Sequence, residues 1–132
     1  MAKPQVGAYM ATNFVTLLPT MSLFEAVDVF LKHGILGAPV VDADGRLVGF
    51  FSEVDALRLL AVGAHHDVPS GPVQDYMVRK VATVAPDVDV YWAAGLLLAQ
   101  GLAYLPVVQG GAIIGLINRR AILRALKEHF GH

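Results

Sequence analysis

The sequence contains no cysteine. Disulfide frameworks, thiol catalysis and thiolate zinc sites are thereby excluded. An excess of one charge is missing too: 10 Lys and Arg against 11 Asp and Glu leave a net charge of −1. A general nucleic-acid surface needs a basic face to displace counterions from phosphates, so no nucleic-acid partner is expected. The start, MAKPQVGAYM, has no apolar run of signal-peptide length, which makes the cytoplasm the expected location. There is no P-loop and no serine–histidine pairing by motif. No catalytic residue, no catalytic cofactor and no enzyme activity are therefore expected.

What is abundant is apolar. Hydrophobic residues make up 55% of the 132 positions and charged residues 16%, unlike a disordered chain. That length favours one compact domain or two small halves sharing a core. The stretch Val90–Val108 is apolar except for Gln100, and about 20 such residues cross a bilayer. Gly101 and Pro106 interrupt it, and its counterpart earlier in the chain carries Glu25, Asp28 and Lys32. A soluble helix followed by a buried strand is expected there, with no membrane span.

That counterpart exists because the chain repeats itself. A shift of 67 lays VGAYM (Val6–Met10) on VQDYM (Val73–Met77), and HGILGAPVV (His33–Val41) on QGLAYLPVV (Gln100–Val108). Dropping one turn residue then aligns RLVGFFSEVDALRLL with AIIGLINRRAILRAL, and 16 of 54 aligned positions are identical. Each copy is expected to read β-α-β-β-α. A brief strand (Phe14–Leu17; Val81–Val84) is ended by a proline that removes a backbone donor. The next helix (Leu23–His33; Val90–Gln100) starts at a Ser22/Glu25 capping box or an Asp89 cap. Gly34 and Gly101 suit the left-handed residue past its end. Hairpins follow, turning at Asp44-Gly45 and Gly110-Gly111. The last helices are expected over Glu53–Ala61 and Arg119–Phe130. The expected organisation is repeat 1 over 6–62, a linker over 63–72 and repeat 2 over 73–130. The fold class is α/β (α+β), with the repeats packed in pseudo-two-fold symmetry and equivalent clefts at the seam.

One pair of residues raises a functional question. Ser52 and Asp55 form a Ser-x-x-acid helix start, in which the serine accepts a backbone N–H and the helix dipole favours the acid. An acid facing a cleft also accepts hydrogen bonds from both ribose hydroxyls, as carboxylates do in dinucleotide sites. In the second copy Asn118 still supplies a cap, but Ala121 stands where the aspartate was.

The stretch GILGAPVVDADGRLVGFFSEVDALRLL resembles the cystathionine-β-synthase (CBS) domain. The likeness lies in its Gly-x-x-x-x-Pro-Val-Val-Asp strand, the glycine of the next strand and Ser/Thr-x-x-Asp at the last helix. The second copy resembles it through GLAYLPVV and IIGLINRRAILRAL. The chain is thus similar to a stand-alone CBS pair, or Bateman module. The resemblance implies a regulatory module that binds an adenine nucleotide (AMP, ADP or ATP) between repeats and passes the signal to an effector protein. It also implies pairing into a homodimer. Carried across residue by residue, it implies that Ser52 and Asp55 share a cleft with Val81, Thr83, Ala103, Tyr104, Leu105 and Pro106. Asp55 is then the ribose acceptor. Arg120, and less so Arg119, would contact phosphate, whose oxygens Arg matches bidentately. The equivalent cleft near Thr16, Ile35, Ala38 and Asn118 lacks the acid and is expected to bind weakly or not at all. S-adenosylmethionine or NAD as ligand, and a protein-assembly role with little nucleotide affinity, are the alternatives.

The remaining candidates carry plainer readings. His65-His66-Asp67 lies in a Gly/Pro-bounded linker without a helical i,i+4 ligand pair, so a loop and no metal site is expected. His33 aligns with Gln100 at a helix end and is expected to be polar and exposed, while His129 and His132 belong to the C-terminal tail. Tyr104 suits either stacking on adenine or core filling. The helix YWAAGLLLAQ is apolar nearly all round, so it is either deeply buried or meets a partner, and dimerisation through it is expected.

Overall fold

The structure is a computed structural model and is described over residues 2–63 and 69–131. The His65-His66-Asp67 stretch and His132 lie outside the described residues. Eight elements follow in order: α1 (Leu23–His33), β1 (Gly37–Val41), β2 (Leu47–Ser52), α2 (Glu53–Gly63), α3 (Val90–Gln100), β3 (Tyr104–Gln109), β4 (Ala112–Asn118) and α4 (Arg119–Gly131). Single 3-10 turns at Val6–Ala8 and Val73–Asp75 open each copy. The fold is mixed α/β with two repeats, as the sequence implies.

The helix ends form where the sequence places their signals. Ser22 and Glu25 make a reciprocal capping box on α1, and Asp89 accepts the Trp92 N–H at 2.9 Å on α3. Gly34 and Gly101 close these helices in the left-handed conformation at φ 63° and 62°, a region that costs a Cβ-bearing residue most. In the first hairpin the Asp42 carboxylate accepts the backbone N–H groups of Asp44 and Arg46 at 2.9 and 3.0 Å. The turn geometry is therefore fixed by a side chain as well as by Gly45.

Two expectations change. No strand forms over Phe14–Leu17 or Val81–Val84. Each reduces to one parallel bridge, Leu17 with Val40 and Val84 with Val107. Pro19 and Pro86 follow within two residues, too soon for a ladder to extend beyond a single rung. The compact units also cut across the sequence repeats. One unit is Val15–Val81, and the other joins residues 2–14 to residues 82–131. The opening turn of each copy thus packs with the hairpin and helices of the other copy. Val6 is 0% exposed in the core of Leu97, Leu105 and Ile117, while Val73 is 0% exposed in the core of Leu17, Leu23 and Phe51. The Val6 N–H donates to Val88 O at 2.8 Å, and Val73 donates to Met21 O at 2.7 Å.

The strand glycines explain how these turns fit. A Cβ on Gly115 would stand 2.3 Å from the Met10 sulfur, and one on Gly49 would stand 2.3 Å from the Met77 sulfur. Each glycine leaves a slot that a flexible thioether fills. In the unit of Val15–Val81, Phe51 is fully buried and stacks on Phe30 with centroids 5.8 Å apart. Burial of that ring contributes roughly 1.5–3 kcal/mol. In the other unit the Tyr9 hydroxyl donates to the Glu128 carboxylate. That hydrogen bond, ahead of burial and the carboxylate charge, raises the Tyr9 pKa above its usual 10.0.

Candidate functional site

Ser52 ends β2 opposite Gly37, and α2 begins at the next residue. Gly37 lets the two strands close here, since a Cβ on it would lie 3.0 Å from the Ser52 Cα. Ser52 and Asp55 form a complete reciprocal cap. Asp55 N–H donates to Ser52 Oγ at 3.2 Å, while Ser52 N–H and its hydroxyl donate to Asp55 Oδ2 at 3.1 and 2.8 Å. One carboxylate oxygen is thereby fixed by its own helix start. The other, Oδ1, accepts no hydrogen bond among the described residues. Both side chains are half-buried. The cap therefore holds the carboxylate in one orientation and leaves an oxygen for something else.

The second copy keeps half of this arrangement. Asn118 Oδ1 accepts the Ala121 N–H at 2.8 Å, so α4 is capped. Ala121 is itself core, 8% exposed, and nothing reciprocates. The acid is thus dispensable for starting the helix.

The two arginines after Asn118 behave differently. Arg119 and Arg120 are both exposed in the first turn of α4, where the macrodipole disfavours cations. Arg119 Nε donates to Leu102 O at 3.0 Å, across 17 residues of sequence. Arg120 makes no hydrogen bond or ion pair among the described residues. The segment that Arg119 touches runs from the left-handed Gly101 into β3, where Tyr104 pairs with Asn118.

The remaining expected site residues separate by burial. Ala103, Tyr104 and Val81 are half-buried, and Thr83 is exposed. Leu105 and Pro106 are fully buried core residues, and the Pro106 carbonyl accepts the Val84 N–H at 3.1 Å. Ala38 is likewise fully buried, whereas Thr16 is exposed and Ile35 half-buried. The unit of Val15–Val81 thus brings Ser52 and Asp55 together, and the other unit brings Leu102–Tyr104 beside Asn118 and Arg119. Leu102 went unnoticed in the sequence, because its part is played by a main-chain carbonyl. No group of three His, Asp or Glu side chains stands together as a metal site among the described residues.

A second feature has a different chemistry. Between α1 and α2 a groove of about 300 Å³ is lined by Val27, Phe30, Leu31, Val54, Leu57 and Leu60. Its one charged lining residue is Glu53, which suits no phosphate. The α3 helix buries Val90, Ala93 and Leu97 and leaves Trp92 and Leu98 66% and 83% exposed. It is neither wholly buried nor polar on its free face. No helix among the described residues is long and apolar enough to cross a membrane.

The α-β-β-α unit occurs twice, with a Ser-x-x-Asp helix start in the first copy. The chain belongs to the CBS domain family, whose model matches residues 6–62 and 73–128. Among solved structures it is similar to CBSX2 in complex with AMP, with 28% identity and a TM-score of 0.84, over 96% of this chain and 98% of that one. It is also similar to the CBS domain pair of protein MJ0100 in complex with 5'-methylthioadenosine and S-adenosyl-L-methionine. That match has 25% identity and a TM-score of 0.81, over 92% of this chain and 98% of that one. Among curated relatives, the A-adding tRNA nucleotidyltransferase of Aquifex aeolicus is 32% identical over 96% of this chain, which spans 15% of that enzyme's length. An uncharacterised 17.7 kDa protein of Acidianus ambivalens is 28% identical over 94% of this chain and 74% of its own.

Proposed function

We propose that this CBS pair is a regulatory, non-catalytic cytoplasmic module that binds one adenine nucleotide per chain (AMP, ADP or ATP) and passes the change to an effector protein. Asp55 accepts the two ribose hydroxyls through the oxygen its cap leaves over, with Ser52 beside it. The second repeat supplies Val81, Thr83, Ala103, Tyr104, Leu105 and Pro106 around the nucleoside. Arg120 meets the phosphate. The observation that carries this reading is the asymmetry between copies: a complete Ser52–Asp55 box in one, and Asn118 with Ala121 in the other. Thr16, Ile35, Ala38 and Asn118 surround the weaker, acid-free counterpart. The likeness to a CBS pair that holds AMP supports the ligand class. Ligand acts by favouring one conformation, since it shifts an equilibrium only through differential affinity.

A thermal-shift panel of AMP, ADP, ATP, NAD, S-adenosylmethionine and methylthioadenosine tests this. At 100 times its dissociation constant a ligand adds about 2.7 kcal/mol of stability, a rise of several degrees in the midpoint. A rise with the phosphorylated ligands is expected. A rise confined to the sulfonium and thioether nucleosides would transfer the site to that class, and no rise with any would remove it.

The apolar helix faces favour a second reading, assembly, which is compatible with the first. Leu31 on α1 and Leu98 on α3 occupy matching repeat positions and are 77% and 83% exposed. A matching face on each repeat suits an isologous homodimer. Sedimentation is expected to give a dimer that the double variant Leu31→Glu/Leu98→Glu turns into a monomer. A wild-type chain that sediments as a monomer at micromolar concentration would refute the dimer.

A further inference from the structure

Adjacent arginines at a helix start invite the same assignment, yet the geometry of Arg119 differs from that of Arg120. Arg119 Nε is committed to Leu102 O at 3.0 Å. That carbonyl belongs to the turn that leaves α3 through Gly101 and enters β3 at Tyr104. The Leu102 N–H is held in turn by Leu97 O at 3.0 Å. The side chain therefore spans from the start of α4 to the turn before β3. It closes the loop that the β3–β4 hairpin makes from the other side.

The first copy has the same turn without this tie. Gly34 is left-handed, and the Ile35 N–H donates to Phe30 O at 3.2 Å, as Leu102 does to Leu97. The residue matching Arg119 is Glu53, whose carboxylate has no N–H to donate. Its backbone N–H reaches the turn, donating to Leu36 O at 2.9 Å. The side-chain tie thus belongs to the copy whose Ala103–Leu105 segment is assigned to the nucleoside. It is missing from the copy whose turn serves the acid-free counterpart.

We infer that Arg119 is a positioning residue. It braces the Leu102–Tyr104 turn that borders the adenosine moiety, and the phosphate contact falls to Arg120 alone. This rests on the nucleotide reading above for its consequence in binding, but the brace itself exists in the free chain. A planar guanidinium suits the role because its Nε–H direction is fixed by the fork, so less freedom is lost per hydrogen bond. A charge-assisted hydrogen bond at an exposed site corresponds to up to about fivefold in an equilibrium constant.

Two measurements on the full chain test it. Hydrogen exchange of the free protein reads the Leu102 amide in wild type, Arg119→Ala and Arg120→Ala. Faster exchange by about fivefold is expected in Arg119→Ala and none in Arg120→Ala. Unchanged exchange in Arg119→Ala overturns the brace, whether or not any nucleotide binds. Calorimetry then compares adenosine with AMP. Arg119→Ala is expected to weaken both by the same factor, and Arg119→Gln, which keeps an N–H donor but no charge, to recover part of each. Arg120→Ala is expected to weaken AMP alone. If Arg119→Ala weakens AMP and spares adenosine, Arg119 is a phosphate ligand and the inference fails. If wild type binds neither compound, the nucleotide reading fails while the exchange experiment still decides the brace.

Discussion

Asp55→Ala is expected to weaken AMP binding by at least about a hundredfold. Two hydroxyls that donate to one carboxylate are charge-assisted bonds of about 1.5–3 kcal/mol each, and every 1.4 kcal/mol is a factor of ten. The substitution also removes the acid half of the helix cap, which costs about 1 kcal/mol of folding stability. The two losses are separable. Ser52→Ala removes the hydroxyl that Asp55 N–H donates to at 3.2 Å, so it is expected to cost similar stability while keeping the carboxylate for ribose. Titration of both variants with AMP, alongside thermal unfolding, distinguishes the roles. An Asp55→Ala chain that is less stable but binds AMP as tightly as wild type would reduce Asp55 to a cap.

Val6→Asp carries the second large effect, on stability and on its location. Val6 lies in the first sequence repeat but is fully buried against the hairpin and helices of the second. An uncompensated buried charge there is expected to cost about 3–5 kcal/mol. The protection lost should be that of β3, β4 and α4, with β1, β2 and α2 affected less. Val73→Asp should produce the mirror result, loosening the β1–β2 unit. Hydrogen exchange resolved by segment reads this directly. Loss of protection in β1 and β2 after Val6→Asp would mean that each opening turn packs within its own repeat.

That exchange of opening turns was invisible in the sequence for a definite reason. VGAYM and VQDYM are near-copies, and each presents a valine to a hydrophobic core and a methionine to a glycine slot of the same shape. Nothing in either segment specifies which slot it takes. Signals that act within a few residues were legible. Ser22 with Glu25, Asp89, Gly34 and Gly101 all stand at the helix ends they indicate. The strands expected over Phe14–Leu17 and Val81–Val84 are single bridges because Pro19 and Pro86, two residues on, leave no room for a longer ladder. In the candidate site, Ser52 and Asp55 were legible as a cap, and the comparison with Asn118 and Ala121 separated the cap from the acid. The hydrogen bond from Arg119 to Leu102 was not legible. It depends on a carbonyl 17 residues away, to which sequence spacing gives no clue.

On the proposed reading, the acid-bearing copy gives this CBS pair one principal adenine-nucleotide site per chain. Isothermal titration of the wild-type chain with AMP addresses it most directly. One site per chain is predicted, lost in Asp55→Ala. Two equal sites per chain, or no binding heat at any temperature where the chain is folded, would contradict it.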